Sequence, residues 1–431
     1  MMRLLHADGA DGAAFLTELA QRRETVSAEA EAAVRPILAE VREKGDTALL
    51  AYARRFDEAH LTPATVRVSP EEVKRAFGDL AFEAIEVLKL AAERIEAFHR
   101  RQLPHSWFLT EEGTVLGQLC RPLEAVGIYI PGGKAAYPST VLMSGVPAAV
   151  AGVERRVICT PAGPDLKVNA AVLVAASLAG IEEIYKVGGA QAIAALAYGT
   201  ATIPKVDKIV GPGNIYVATA KRLVAGAVGI DTIAGPTEVV VVADETAEPA
   251  YVAADLIAQA EHDEMASALC ITVSKSLAER VLAELRRQLA DLPRRSIAEA
   301  SLEKNGAILL VQDLSAALAL VNRIAPEHVE LHCQDPWVHL DQVRHAGAIF
   351  LGTFAPEALG DYLAGPNHVL PTGGTARFAS PLSVEDFLHR SSLLHFTEEG
   401  LERLGDAATT LAHLEGLDGH ARAVQIRRRA G

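Results

Sequence analysis

Cysteine is scarce: four residues in 431, at Cys120, Cys159, Cys270 and Cys333, with no Cys-x-x-Cys pair among them. Neither a disulfide framework nor a thiolate metal site is suggested, and any metal is expected to be held by nitrogen and oxygen. Long apolar runs are also missing. None approaches the roughly 20 residues that cross a bilayer; Ala170 to Ile181 is shorter and reads as a buried helix. The opening residues Met1 to Gly9 turn polar before a secretory leader could build an apolar centre, so cytoplasmic residence is the expectation. Basic charge is in deficit, with 41 lysines and arginines against 55 aspartates and glutamates, a net of -14. That balance repels phosphate backbones and anionic lipid, so neither nucleic acid nor a membrane is expected as a partner.

What is present is a globular composition, 50% hydrophobic and 22% charged, on a chain longer than a single core usually grows. From about Ala14 to Leu103 the apolar spacing is helical. A start signal stands at Ser69-Pro70-Glu71-Glu72, where serine caps, proline fits the first turn and Glu72 completes a capping box. Trp107 to Gln118 alternates about Glu111-Glu112-Gly113 as a hairpin does. Strands at 126–130, 156–159, 184–187 and 208–210 then alternate with helices at 166–178, 190–198 and 215–225. A second series has strands at 238–243, 269–273, 307–311, 329–332 and 348–351, with helices at 249–261, 276–289, 315–324 and 337–345. This alternation predicts an α/β fold with two Rossmann-like parallel-sheet lobes. The expected divisions are a mostly helical N-terminal region (1–104), one lobe from 105–129 with 237–380, a second lobe from 130–236, and a helical C-terminal tail (381–431). The cleft between two such lobes is the natural ligand site.

Several polar segments interrupt the pattern. Gln259 and His262 lie three apart near a helix end, share one face and can reach one ion, although polar neighbours at helix ends are common without one. Glu327 and His328 follow Pro326 on a turn from helix to strand. A carboxylate beside an imidazole offers two proton acceptors of different affinity; on the dipeptide alone a solvated turn is the favoured reading. Gly360 to His368 is a Gly- and Pro-bounded loop in which Asp361 or His368 can ligate a metal, or Asp361 can cap a turn. His413, Glu415 and His420 punctuate the terminal helices. Gly211-Pro-Gly-Asn-Ile-Tyr216 places Gly-x-Gly between a strand and a helix, but Tyr216 occupies the third glycine position of a dinucleotide fingerprint. Asp231, twenty residues beyond Gly211, reads as a coincidence of spacing.

Together and in this order, these segments resemble the histidinol dehydrogenase family over nearly the whole chain. Ile128 to Gly133, Ser139 to Met143, Val187 to Leu196, Lys208 to Asn214 and Ala234 to Val239 carry the resemblance further. It implies a zinc ion held by Gln259, His262, Asp361 and His420, with Glu327 and His328 as the acid/base pair. It implies that Thr237, His328, Glu415 and the zinc ligands surround an amino alcohol, L-histidinol, and that Tyr129, Gln191 and Asn214 contact NAD. His368 and His413 are not implied as ligands. Thr237 stands where serine is frequent in that family, which keeps the hydroxyl and adds a methyl. The expected reaction is two successive NAD-linked oxidations, through L-histidinaldehyde to L-histidine. The expected assembly is a homodimer whose tails cross, so that Glu415 and His420 complete the neighbour's site. Two rival readings stay open: a zinc hydrolase that activates water without a redox cofactor, and an oxidoreductase for another amino alcohol. The carboxylate of Glu415 suits a cationic substrate and speaks against the second.

Overall fold

A computed structural model describes residues 2–23, 28–132, 136–233 and 235–428 of the chain. It divides into two compact units, one of Met1–Gln102 with Glu124–Phe387 and one of Leu103–Leu123 with Leu388–Gly431. The first unit begins with β1 (Arg3–His6), α1 (Ala10–Arg23), α2 (Ala28–Lys44), α3 (Asp46–Phe56), α4 (Pro70–Asp79) and α5 (Phe82–His99). After β2 (Trp107–Glu111) and β3 (Thr114–Pro122), which belong to the second unit, it resumes with β4 (Ala125–Tyr129), α6 (Pro138–Ala151), β5 (Arg155–Cys159), α7 (Ala170–Leu178), β6 (Glu183–Tyr185), α8 (Gly189–Tyr198), β7 (Lys208–Val210), α9 (Ile215–Val224) and β8 (Gly229–Ile230). There follow β9 (Glu238–Ala243), α10 (Pro249–Ala260), β10 (Ser267–Thr272), α11 (Lys275–Leu289), α12 (Arg295–Asn305), β11 (Ala307–Leu310), α13 (Leu314–Ile324), β12 (His328–His332), β13 (Ala348–Leu351) and α14 (Glu357–Tyr362). The chain closes in the second unit with β14 (Leu388–Phe396), α15 (Glu398–Leu414) and α16 (Asp418–Arg428).

The two α/β series each build a parallel sheet, one ordered β6-β5-β4-β7-β8 and the other β1-β11-β10-β9-β12-β13. Numbered from its own first strand, β4 or β9, each series runs 3-2-1-4-5, the doubly wound order up to its fifth strand. β9 reads Glu-Val-Val-Val-Val-Ala and is buried along its length, as a strand covered on both faces must be. One apolar cluster joins β9 to α10 and α11; another joins the opposite face of the sheet to α1 and α13.

The N-terminal helices do not stand apart. Val34, Ile37 and Leu49 of α2 and α3 share one core with Ile193, Leu196 and Val217 of α8 and α9, while α4 and α5 pack on α7 and α6. The capping box forms as expected: Ser69 Oγ accepts the Glu72 N–H at 3.2 Å, and a Glu72 carboxylate oxygen accepts the Ser69 N–H at 2.9 Å. The other Glu72 oxygen accepts from Lys186 Nζ at 2.6 Å and ties α4 to the end of β6.

Three expectations are corrected. The segment 105–129 does not join the strands of 237–380. Val126 pairs with Arg156 on one side and Lys208 on the other, so β4 is the central strand of the five-stranded sheet, beside its neighbours in sequence. The tail is not wholly helical, because β14 lies antiparallel to β3 over nine pairs, from Leu388 opposite Pro122 to Phe396 opposite Thr114. Its sequence, Leu-His-Arg-Ser-Ser-Leu-Leu-His-Phe, is exposed at nearly every position and so carries no burial period. The N-terminal region also contributes β1 to the edge of the six-stranded sheet, alongside β11. No described helix is long and apolar enough to cross a membrane.

Candidate active site

The expected acid/base residues stand where helix α13 turns into strand β12. Ala325 takes a left-handed backbone (φ 50) to end the helix, Pro326 follows, and Glu327 and His328 are delivered to the amino end of β12. The neighbouring strand β9 brings Thr237 and Glu238 to the same edge, since His328 pairs with Val239. Glu327 is 7% exposed, and one of its carboxyl oxygens lies 2.5 Å from Thr237 Oγ1 and 2.9 Å from the Glu238 N–H. Burial pushes its carboxyl up to about 8, outweighing these two hydrogen bonds.

His328 is 3% exposed and its Nδ1 donates to the Glu238 carbonyl at 3.1 Å. That bond fixes the tautomer and leaves Nε2 as the lone-pair nitrogen, which has no partner and lies 3.9 Å from an Asp361 carboxylate oxygen. Burial holds the imidazole below its ordinary value, against the pull of Asp361, so the ring is neutral and ready to accept a proton.

Gln259 closes the cluster from the last turn of α10, fully buried. Its amide nitrogen donates to the Glu357 carboxyl, at 2.9 Å to the farther oxygen, and its oxygen accepts from Thr237 Oγ1 at 2.6 Å and the Glu238 N–H at 2.7 Å. The Thr237 hydroxyl has one proton and faces two acceptors. A proton retained on Glu327 supplies the missing donor, in keeping with its raised carboxyl. Asp361 sits on α14, and its carbonyl accepts from His368 Nδ1 at 2.9 Å. Burial keeps His368 neutral, and its Nε2 lies 3.4 Å from Thr140 Oγ1 at the start of α6. His368 thus ties the Asp361 loop to α6. His262 follows α10 and is exposed; its charge acts on both His328 and His368.

Glu357 was not singled out from sequence. It is 2% exposed, lies 3.7 Å from His328 Nδ1, and its carboxyl is pushed well up by burial, then by Asp361, Glu330, Glu327 and Asp255. The legible signal was its spacing of four from Asp361, which puts both carboxyls on one side of a short helix.

The second expected constellation gathers at the carboxyl end of the five-stranded sheet. Tyr129, the last residue of β4, accepts the Gly189 N–H on its hydroxyl at 3.0 Å, and burial pushes the phenol up to about 12. Gln191, in the first turn of α8, is 1% exposed with its amide nitrogen unpartnered. Asn214 caps α9, its side-chain oxygen accepting from the N–H groups of Tyr216 and Val217 at 3.1 Å. Gly211 approaches the Tyr129 backbone with φ +110, and a Cβ there would lie 2.2 Å from the Tyr129 carbonyl oxygen. Asp231 holds this turn from below, one oxygen accepting the Gly211 N–H at 2.8 Å and the other pairing with buried Lys221. Both oxygens are used inside the fold. Gly133 and Ala234, within two of the resembling segments, lie outside the described residues.

Glu415 and His420 belong to the second unit. Glu415 is the C-cap of α15, His420 lies in the first turn of α16, and both border a groove floored by Leu411, Leu417 and Val424.

The sequence model of the family described as histidinol dehydrogenase matches residues 20–428. The chain belongs to this family. Histidinol dehydrogenase of Syntrophotalea carbinolica is 54% identical over 99% of both chains, and that of Geobacter metallireducens is 55% identical over 96% of this chain and 95% of its own. The crystal structure of histidinol dehydrogenase from Elizabethkingia anophelis superposes with a TM-score of 0.89 at 39% identity, covering 92% of each chain. Family members are NAD-dependent oxidoreductases of histidine biosynthesis.

Proposed function

We propose that the chain oxidises L-histidinol through L-histidinaldehyde to L-histidine, with Glu327 and His328 as its acid/base pair. The observation that carries this reading is the free Nε2 of a neutral, buried imidazole whose Nδ1 is committed to the Glu238 carbonyl. His328 takes the proton of the substrate hydroxyl. Glu327, raised to about 8, can release its retained proton near neutral pH, and the carboxylate so formed takes one from the water that adds to the aldehyde. Thr237 bridges Glu327 and Gln259 and so links the proton carrier to a substrate-binding amide.

The residues also fit the expected cofactors. His328, Glu357 and Asp361 bring ligand atoms within 4.8 Å of one another, with Gln259 beside them and no thiolate near. Oxygen and nitrogen donors around several buried carboxyls, with no lysine or arginine paired to them among the described residues, suit zinc. Gln259, His262 and Asp361 would hold it with His420 of a second copy. The unpartnered Gln191 amide and the amino ends of α8 and α9 suit a pyrophosphate, with Tyr129 and Asn214 alongside. When bound, zinc would orient the amino alcohol and NAD would accept a hydride in each of two steps.

The exposed apolar residues of the tail, Leu411, Leu414 and Ile426, support a homodimer in which Glu415 and His420 serve the neighbouring site. Cytoplasmic residence accords with a biosynthetic enzyme that has four free cysteines, three of them buried. The decisive test counts NADH formed per L-histidinol consumed by zinc-loaded protein. Two per substrate, lost on chelation, is the expected result; turnover of an amide or ester without NAD would replace the reading by a hydrolase. Glu327→Gln should slow aldehyde oxidation more than alcohol oxidation in single-turnover assays, and equal slowing would undo the division of labour.

A further inference from the structure

Behind the acid/base pair, β12 carries two more ionisable side chains that the reaction does not use. Glu330 and His332 alternate with Val329 and Leu331 and point into the protein, 0% and 2% exposed. Asp255 of α10, 7% exposed, meets them one helical turn before Gln259. His332 Nε2 lies 3.3 Å from a Glu330 carboxylate oxygen and 3.6 Å from one of Asp255. All three groups can place one ligand atom within 4.8 Å of the others.

The angles are as informative as the distances. Despite their closeness, neither ring nitrogen of His332 makes a hydrogen bond, and nor does the nearer Glu330 oxygen. Side chains that meet to share protons align donor with acceptor, whereas ligands of an ion aim at a common point and sit beside one another. For an ion with bonds of about 2.0–2.1 Å, tetrahedral ligands stand about 3.3–3.4 Å apart. The His332 to Glu330 separation matches that edge, and the Asp255 contact is a few tenths longer.

Charge points the same way. Burying two carboxyls and an imidazole without a compensating cation is costly. Among the described residues no lysine or arginine pairs with any of the three. Burial, followed by the charge of Glu330, pushes the Asp255 carboxyl up to about 8, so this pocket retains a proton that a divalent ion would displace.

We propose that Asp255, Glu330 and His332 form a second cation site, distinct from the expected zinc ligands and suited to a divalent first-row transition ion such as Zn2+. Its role is structural. Glu330 uses its other oxygen to accept the Glu357 N–H at 2.9 Å, so an ion there would clamp β12, α10 and the start of α14, the three elements that carry His328, Gln259 and Asp361. One imidazole and two carboxylates leave a fourth position for water.

The test is X-ray diffraction at the zinc absorption edge from crystals of the full-length protein prepared with excess zinc chloride. Zinc content per chain is measured in parallel on desalted protein. We expect two anomalous peaks per chain, one beside Asp361 and one enclosed by Asp255, Glu330 and His332. Asp255→Asn and His332→Gln should each lower the zinc content by one ion and erase only the second peak. A peak near Asp361 with none in the second pocket overturns the proposal, as does a map with neither, or zinc content unchanged in both variants. The wild-type map decides the matter even if a variant fails to fold.

Discussion

The two parallel sheets share one strand order and use opposite edges. In the five-stranded sheet Tyr129, Gly211, Gln191 and Asn214 collect beyond the carboxyl ends of β4 and β7, at the point where strand order reverses, the usual crevice of such folds. In the six-stranded sheet Thr237, Glu327 and His328 collect at the amino ends of β9 and β12, the corresponding pair. The difference follows from the helices. Beyond the carboxyl ends of strands the helices begin, so α8 and α9 present positive dipole ends suited to phosphate. At the amino ends the helices finish, so α10 and α13 present negative ends suited to a metal ion or a cationic substrate. One topology thus offers edges of opposite helix polarity, one suited to anions and the other to cations. The link Thr140–His368–Asp361 shows the two edges meeting within the first unit.

This contrast can be broken by substitutions confined to one edge. The largest effect is expected from His328→Asn, which should lower kcat on the order of 10²–10⁴-fold, the usual reach of a general base, while NAD affinity by calorimetry stays within a few-fold. A parallel loss of NAD binding would mean the edges are not separate. Gly211→Ala drives a Cβ to 2.2 Å from the Tyr129 carbonyl oxygen at φ +110. It should weaken NAD binding and lower unfolding stability by about 1–3 kcal/mol, with kcat at saturating NAD largely kept; a collapse of kcat instead would merge the two roles.

The smallest effect belongs to the scaffold. Burial works against ionised Glu72, but Lys186 and the Ser69 amide prevail and hold its carboxyl below the ordinary range. A depressed folded value stabilises above the unfolded value and is lost as pH falls through the folded one. Urea unfolding should therefore show the wild type losing an increment of stability on acidification below about pH 4.5 that Glu72→Gln lacks. Identical pH profiles would show that the α4 cap contributes nothing to the sheet it abuts.

Much of the fold was legible because each buried strand is short, apolar and bounded by polar turns. The strands 208–210, 238–243 and 348–351 fall where the sequence places them. β1 and β14 were not legible, since β1 begins and ends on polar residues and shows no apolar run, and an exposed strand shows no alternation. α12 was missed because its mixed face has only a few buried positions. Within the site, the motifs at 259–262, 327–328 and 361 named the right neighbourhood, but the proximity of Thr237 and Glu357 depends on strand pairing across some 90 and 30 residues of chain, which no local pattern encodes. The placement of β4 failed for a related reason: a parallel strand looks alike whichever sheet receives it.

The pairing of β3 with β14 has a consequence for the life of the chain before it is finished. The two strands pair across a long stretch of sequence, with Glu124–Phe387 of the first unit between Pro122 and Leu388. A ribosome adding about 5–20 residues per second would leave the outer edge of β3 without its partner for on the order of ten seconds to a minute. During that interval the hairpin offers a nine-residue row of unpaired amides and carbonyls to any other nascent strand. Termination before residue 388 would make that interval permanent, so the last strand acts as a seal of completed synthesis, and truncated chains are the ones left adhesive.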